Sequence, residues 1–264
     1  MSTLRAAAMG GYLTQVLAVA GAEVSKLRHD PWELVSRAIQ PVLWLVLFGE
    51  VMAQVRGLAP HHVAYLDFLT PGILAQSVLF VAIFYGISAI WERDLGVLHR
   101  YLASPAPRSA LVCGKALSSS VRALSQALVI YLCAALLGVH LNHAPADTAY
   151  AILLIVLGAG LFSTFSLIIA CIVRTRERFM GIGQVLTMPI FFASNAIYPI
   201  ALMPRWLRWI SSANPLTYEV DGLRAVMLTS GRSTYGLAHD VAALVLTAAL
   251  MIAIASRMYP RMTQ

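Results

Sequence analysis

The sequence contains few charged residues. Only 12% of its 264 residues are Asp, Glu, Lys or Arg, whereas 59% are hydrophobic. A soluble domain has about twice this share of charged residues. The mean hydropathy of +0.75 therefore excludes an ordinary soluble domain and indicates an integral membrane protein.

Cysteine, lysine and metal-ligand patterns are also scarce. Cys113, Cys133 and Cys171 form no CxxC or Cys/His spacing, which argues against a disulfide framework or a zinc site and favours small thiols embedded in the membrane. The adjacent pair His61-His62 is metal-like, but a solvated loop explains it better. The net charge of +7 comes without a lysine-rich run, so nucleic acid is not predicted as a partner.

Nucleotide-binding and catalytic motifs are missing as well. Gly114-Lys115 lacks both the upstream glycine and the following hydroxyl of a phosphate-binding loop. HExxH and GxSxG do not occur. We therefore assign no catalytic residue, metal or cofactor to this chain.

Long uncharged runs dominate what the sequence does contain. A transmembrane helix needs about 20 largely apolar residues, and Asp30-Pro31, Thr70-Pro71 and Asp147 supply start signals for three such helices. The sequence predicts an all-α, polytopic membrane protein with a single domain over residues 1–264. Its six transmembrane helices cover about 31–54, 70–90, 116–139, 148–173, 179–195 and 241–256.

The segment before the first span predicts an N-terminal amphipathic helix lying on the membrane, over about residues 11–29. Its apolar positions are three or four residues apart and would share one face: Tyr12, Val16, Ala20, Val24 and Leu27. A disordered lead-in is the alternative. A cleavable signal peptide is not indicated, because no compact apolar core ends in a small-residue cleavage site.

The basic residues predict the orientation. With the N-terminus inside, the outer segments contain only Arg56, Arg205, Arg208, Arg224 and Arg232 of the 19 Lys and Arg residues. This asymmetry is what the positive-inside rule requires. We expect a multi-pass protein of the cell (plasma or inner) membrane with both termini in the cytoplasm.

The inner link from Trp91 to Arg108 predicts a short helix that ends before Pro105. Leu95, Leu98 and Leu102 would form an apolar face, opposite a charged face that includes Glu92 and Arg93. Such a face indicates that something packs on it, either a partner protein or the lipid headgroups. Spacing alone does not separate these two.

The outer link, from about Asn195 to His239, is too apolar for a solvated loop. Pro189 and Pro199 interrupt the run that leads into it, which predicts a re-entrant helical cap between spans five and six. The cap would place Trp206, Trp209 and Ile210 at the interface. Asn214-Pro215 would start a further helix with Leu216, Val220, Leu223 and Met227 on its buried side.

A few polar residues would interrupt the apolar walls of a transport path: Glu50, Gln76, Ser77, Asn195 and Tyr198. Glu50 is a carboxylate near the outer end of span one. It is either a residue that snorkels to the outer leaflet or a polar point on the path.

Two motifs resemble those of the type 2 ABC transporter permeases, most closely the daunorubicin-resistance branch of drug-efflux permeases. The first is Glu92-Arg93-Asp94-Leu95-Gly96 followed by Leu102-Ala103-Ser104-Pro105. The second is Asn214-Pro215-Leu216-Thr217-Tyr218, with Asp221 and Arg224 beyond it. The resemblance extends over nearly all of the chain; Asp94 and Val97 depart from the commoner residues.

This resemblance implies the partners. They are a second permease protomer, in a homodimer or close heterodimer, and two copies of a cytoplasmic ABC ATPase that binds ATP and Mg. Glu92, Arg93, Leu95, Gly96, Leu98, Leu102 and Pro105 would then dock and couple the ATPase. The outer motif, with Asn214, Pro215, Tyr218, Asp221 and Arg224, would be structural.

The function implied is ATP-driven export of amphipathic or lipophilic compounds, of the drug or antibiotic efflux type, by a chain that is not itself an enzyme. A lipid-linked glycan or polysaccharide exporter is the first alternative. A membrane-embedded lipid-modifying enzyme using Asp221, Arg224 and His239 is the second, although no nucleophile with a neighbouring base is recognisable. A secondary transporter ranks below both, because midplane carboxylates are few.

Overall fold

The computed structural model describes residues 21, 25, 39–49, 51, 64–96, 108–173 and 175–259. Throughout these ranges the ordered elements are helices, and the only β interaction among them is an isolated bridge between Leu141 and Leu228. The all-α prediction is confirmed at this level.

The described helices are named here in chain order. They are α1 (Ile39–Phe48, with a π-helical turn at Trp44–Phe48), α2 (Tyr65–Tyr85), α3 (Ile87–Asp94), α4 (Arg108–Leu136), α5 (Pro145–Ile172), α6 (Arg176–Phe192), a 3-10 turn at Ile200–Leu202, α7 (Arg205–Ala213), α8 (Pro215–Met227) and α9 (Leu237–Met258).

Among the described residues, four segments are long and apolar enough to cross a membrane. They are α2 with α3, α4, α5 and α9. The described part of α1 is a shorter apolar helix, and α6 has 17 residues, so six spans remain a prediction. The chain is accordingly a multi-pass membrane protein.

Helix α5 lies at the centre and packs against α2, α4, α8 and α9. Small residues make up much of its buried surface, among them Ala151, Gly158, Ala159, Ser163 and Ser166. Small side chains let helix backbones approach closely, which is how helices associate where lipid is as apolar as the protein. The faces turned away from α5 expose leucines such as Leu132 on α4 and Leu246 on α9, as lipid contact requires.

Two ends of the bundle can be distinguished by their contacts. At one end, called here the Asp94 end, the end of α3 meets the start of α6 through an Asp94–Arg176 pair. At the other, the Asn195 end, the Tyr65 hydroxyl at the start of α2 donates to the carbonyl of Ile197 at 3.2 Å. The chain therefore alternates in direction through α2, α4, α5, α6 and α9.

Helix α2 begins at Tyr65, before the predicted start at Thr70-Pro71, and Pro71 lies inside it. Thr70 does not cap the helix: its hydroxyl donates to the carbonyl of Leu66 at 2.7 Å. Packing on α1, α4 and α5 outweighs the one hydrogen bond that a proline removes.

Helix α5 begins at Pro145, with Ala144 as its N-cap, so the prediction that Asp147 caps it is wrong. Asp147 instead accepts a hydrogen bond from Asn142 Nδ2 at 2.6 Å. The Asn142 side-chain oxygen in turn accepts from the Ala144 amide at 3.0 Å, which closes the turn before the helix.

Pro189 does not interrupt the fifth helix. Helix α6 starts at Arg176 after its N-cap Thr175 and continues past Pro189 to Phe192. The helix ends after Phe192, and residues 193–199 are not helical.

The segment after α6 contains the two short helices α7 and α8. Their exposed and buried faces agree with those predicted from the spacing of apolar residues. Trp206, Trp209 and Ile210 of α7 are exposed, and Leu216, Val220, Leu223 and Met227 of α8 are fully buried. Whether α7 and α8 are re-entrant in a membrane stays a prediction.

The predicted helix through Leu95, Leu98 and Leu102 is not continuous. Helix α3 ends at Asp94, and Gly96 has a φ of 72°, a left-handed conformation that terminates a helix. Residues 97–107, which include Leu98, Leu102 and Pro105, lie outside the described residues, as does most of the predicted N-terminal helix; within that helix the two described residues, Gly21 and Ser25, are helical.

Asn214 contributes more than the cap predicted for it. Its side-chain oxygen accepts from the Leu216 amide at 3.0 Å, and its Nδ2 donates to the carbonyl of Ile190 on α6 at 2.6 Å. Asn214→Ala should lower the free energy of unfolding by about 0.5–2 kcal/mol for the cap and about 1–3 kcal/mol for the buried carbonyl left unpaired.

Asn214→Ser and Asn214→Asp should restore only the cap, because neither can donate to Ile190 as the amide does. Asp places a carboxylate against that carbonyl and should be the less stable of the two. Unfolding in detergent measures the order. Equal stability of the Asp variant and the native protein would show that the bond to Ile190 contributes nothing.

Candidate functional site

The last turn of α3 forms a polar cluster with α4 and α6 at the Asp94 end. Lys115 Nζ of α4 lies 2.8 Å from Oε1 and 2.7 Å from Oε2 of Glu92. The Lys115 side chain is only 6% exposed. A buried ammonium is tolerated because the carboxylate neutralises it.

A second set of contacts joins α3 to α6. Arg176 donates to Asp94 at 2.9 Å, and its guanidinium lies 3.7 Å from the centre of the Trp91 ring. Arg93 also donates to Asp94, at 3.1 Å. Each contact is charge-assisted or a cation–π interaction, and together with the Glu92–Lys115 pair they join the end of α3 to both α4 and α6.

Sequence reasoning singled out Glu92 and Arg93 but missed Lys115 and Arg176. Lys115 had a usable signal, since it is one of two lysines and lies at the edge of an apolar helix. Leu95 is 70% exposed and sits beside Gly96 at the end of α3. The docking role predicted for these residues is not tested by their positions.

A crevice of about 470 Å³ opens between α1, α2, α4 and α6. Four glutamines line it together with one serine and aromatic or aliphatic side chains. The lining residues are Gln40, Pro41, Gln76, Ser77, Phe80, Val81, Phe84, Ile87, Gln126, Met180 and Gln184.

The crevice offers hydrogen-bonding groups without charge. Gln76 Oε1 and both amide atoms of Gln126 are buried and have no partner among the described residues. Unpaired buried amides cost free energy, so they favour a ligand that can bond to them. The lining contains no ionisable side chain among the residues that the structure describes.

Of the other residues predicted to line a transport path, Ser77 lies beside Gln76 in the crevice, whereas Asn195 and Tyr198 lie outside it. Asn195 is buried at the Asn195 end, with its Nδ2 3.5 Å from Asp221 Oδ1. Tyr198 donates to the carbonyl of Phe192 and lines a separate apolar groove beside Trp206. Glu50 lies outside the described residues.

The residues of the outer motif form a polar network. Asp221 accepts from the Thr234 amide at 2.6 Å, the Tyr235 amide at 3.1 Å and the Thr234 hydroxyl at 2.9 Å. These bonds fix the loop before α9. Tyr218 donates to the carbonyl of Ser212 at 2.6 Å and so joins α8 to α7.

The Arg224 side chain also bonds to protein groups. Its guanidinium donates to the carbonyls of Asn195 at 2.9 Å and Phe68 at 3.3 Å, and lies 3.9 Å from the centre of the Phe68 ring. Burial lowers the pKa of Arg224 to about 10 against the opposing charge of Asp221, so it remains charged at neutral pH. The structural role of Asp221 and Arg224 fits these contacts better than a catalytic role does.

The sequence patterns did not single out two buried acidic residues. Glu219 of α8 and Asp240 of α9 are both fully buried. Helical spacing offered a signal for Glu219, which lies three residues after Leu216 and four before Leu223 on the predicted buried face of α8. Asp240 had no such signal, because it precedes the sixth predicted span. Within the described residues, no group of three His, Cys, Asp or Glu side chains could hold a metal ion.

Comparison with known proteins agrees with this architecture. The ABC-2 type transporter family matches residues 14–228. The putative transport permease ycf38 of Cyanophora paradoxa is 32% identical over 205 residues, covering 75% of this chain and 69% of its own.

Two bacterial relatives are more distant. The daunorubicin resistance ABC transporter permease protein DrrB1 of Streptomyces coeruleorubidus is 24% identical over 82% of this chain and 76% of its own. The inner membrane transport permease YadH of Escherichia coli K12 is 24% identical over 72% of this chain and 73% of its own. Since the family match extends over most of the residues, the chain belongs to the ABC-2 type transporter family of membrane permeases.

Proposed function

We propose that this chain is the membrane subunit of an ATP-driven exporter for amphipathic or lipophilic compounds. Two permease protomers, each with six spans and both termini in the cytoplasm, form the pathway. Two copies of a cytoplasmic ATPase supply the energy. Families of this kind operate with ATP-binding subunits, and the chain has no phosphate-binding loop of its own.

The observation that favours this function is the crevice between α1, α2, α4 and α6. Its apolar and aromatic walls suit a lipophilic body, and its glutamines suit uncharged polar groups on that body. Drug-sized ligands occupy sites of about 300–1,000 Å³, which includes the 470 Å³ seen here. The name of the distant DrrB1 relative agrees with a drug as substrate.

The polar cluster at the Asp94 end favours energy input from a separate chain. In the predicted orientation this end faces the cytoplasm, and the Glu92–Lys115 and Asp94–Arg176 pairs join three helices there. An ATPase that moves the link after α3 would therefore tilt α4 and α6, two walls of the crevice. Helix α6 exposes Ile182 and Val185, an apolar face available for the second protomer.

A lipid-linked glycan exporter is the alternative within the same class. The crevice could hold a lipid tail, but a glycan chain needs a longer polar channel than this. A lipid-modifying enzyme is disfavoured because the hydrogen bonds of Asp221 and Arg224 are already taken by protein groups.

The substrate site can be tested with daunorubicin efflux from cells that express the permease and its ATPase. Gln76→Leu and Gln126→Leu each remove an unpaired amide from the crevice and should reduce efflux by about 5- to 100-fold, the equivalent of about 1–3 kcal/mol for a buried hydrogen-bonding group. Ser125→Ala is the control, because that hydroxyl bonds only within α4, to Arg122. Unchanged efflux in both glutamine variants would place the substrate elsewhere.

The coupling link can be tested with the double variant Glu92→Gln, Lys115→Met. Glu92→Gln alone leaves a buried ammonium unpaired and should cost about 3–5 kcal/mol of stability. Removing both charges should restore stability but not the rigid link. We expect the double variant to assemble with the ATPase and hydrolyse ATP while daunorubicin export falls at least tenfold.

Glu177→Gln is the matched control for this experiment, since Glu177 is an exposed acid on the neighbouring helix. Normal export by the double variant would mean that the Glu92–Lys115 pair does not transmit the movement.

The orientation can be tested by cysteine labelling. Arg208→Cys on α7 and Arg232→Cys after α8 are at exposed positions, in a background without Cys113, Cys133 and Cys171. Both should react in intact cells with a thiol reagent that does not cross the membrane. Reaction only after permeabilisation would reverse the topology.

A further inference from the structure

Glu219 occupies an unusual position on the buried side of α8. Its side chain is turned towards the centre of α5, where its carboxyl group lies against Gly158. A Cβ atom at position 158 would overlap all three atoms of that group. The close approach of α8 to α5 therefore depends on glycine at this point.

The carboxyl group has no hydrogen-bond partner there. Glu219 is fully buried, and both of its oxygens lack a donor among the described residues. A buried carboxylate without donors is strongly disfavoured, whereas the neutral acid is much less so. Desolvation accordingly raises the pKa of Glu219 well above its ordinary value.

Among the described residues, no cation on the elements around Glu219 compensates its charge. On α5 the ionisable side chains are Asp147, Tyr150 and Cys171, all two turns or more from Gly158. On α2, Asp67 is paired with His140, and the tyrosines Tyr65 and Tyr85 are neutral. On α7, Arg205 and Arg208 are exposed, as is His239 on α9.

The remaining charges on α8 and α9 leave an excess of acid. Arg224 is engaged by the carbonyls of Asn195 and Phe68 and is offset by Asp221. Asp240 accepts from Ser233 at 2.8 Å through one oxygen, and its other oxygen is buried without a partner. The Arg224 charge is thus already offset by Asp221, and Glu219 is left without an opposite charge. Within the described residues no group of His, Cys, Asp or Glu side chains could hold a metal ion, so a proton is the cation that can neutralise Glu219.

We propose that Glu219 is a proton-binding site linked to the contact between α8 and α5. With α8 packed on Gly158, the carboxylic acid holds its proton. When α8 moves away from α5, water reaches the group, its O–H bond breaks, the proton passes to water and the carboxylate remains. Displacement of α8 is therefore coupled to release of one proton, whatever compound the permease carries.

The bound proton predicts a specific pH dependence of stability. Because the folded pKa of Glu219 lies above the unfolded one, its contribution is complete below the unfolded pKa and is lost as the pH rises towards the folded pKa. Over that range, one proton changes the folding equilibrium constant by up to about tenfold per pH unit. Thermal unfolding of the purified full chain in detergent, between pH 4.5 and 8 in about half-unit steps, measures this slope.

Glu219→Gln keeps the shape of the neutral acid and should flatten the slope by up to one proton, while the fold is retained. Glu177→Gln, an exposed acid, should leave the slope as it is. Infrared spectra supply a second measurement, because the carbonyl stretch of a protonated carboxylic acid should be present in the native protein and reduced in Glu219→Gln. If the slope and the infrared band in Glu219→Gln are the same as in the native protein, Glu219 does not hold the proton and the proposal fails.

The link to helix contact is tested by Gly158→Ala. The added methyl pushes the Glu219 carboxyl off α5, so the slope should fall in Gly158→Ala, and adding Glu219→Gln should cause no further fall. If Gly158→Ala does not fold, Glu219→Asp serves in its place, because the shorter side chain draws the carboxyl group back from Gly158 without adding an atom to α5. A full slope in the folded variant would show that protonation is independent of the α8–α5 contact, and the proposal would fail.

Discussion

Close packing on α5 is the constraint on which the rest of the bundle depends. In a membrane, apolar side chains gain little by leaving lipid for protein, so helices associate through van der Waals contact and interhelical polar bonds. The small residues of α5 permit four other helices to lie on it at once. Ser166 adds a polar bond by donating to the carbonyl of Ile83 on α2.

Around that centre the two ends of the bundle use charge differently. At the Asp94 end the charged groups are paired, Glu92 with Lys115 and Asp94 with Arg176, which makes a rigid junction of three helices. At the Asn195 end, Glu219, Asp221 and Asp240 are buried, and Glu219 has no hydrogen-bond partner among the described residues. The two ends therefore differ in whether their acidic groups are matched by opposite charges.

The crevice lies between these ends and explains why glutamines occur in otherwise apolar helices. Gln76 and Gln126 lie on α2 and α4, in runs that would be more stable in lipid without them. Their amides face a space that a ligand can fill. In the proposed function, an uncharged lining would let a lipophilic compound leave again, because it forms no ion pair with that compound.

The sequence by itself determined that the protein is an all-α membrane protein, roughly where its long helices lie, and which side of α8 is buried. Each of these follows from composition or from neighbours within about one helical turn, as with Asn214 and Leu216 or with Val220 and Leu223. Local signals failed where packing opposed them, since Pro71 and Pro189 lie inside helices. The apolar spacing of the link after span two also misled, because the left-handed Gly96 follows the end of α3. Only the tertiary structure decided that Glu92 pairs with Lys115, that Arg224 bonds to the Phe68 carbonyl and that Glu219 lies on Gly158. These partners are far apart in the chain, and which faces meet depends on how whole helices rotate and pack against α5, a property that no local pattern contains.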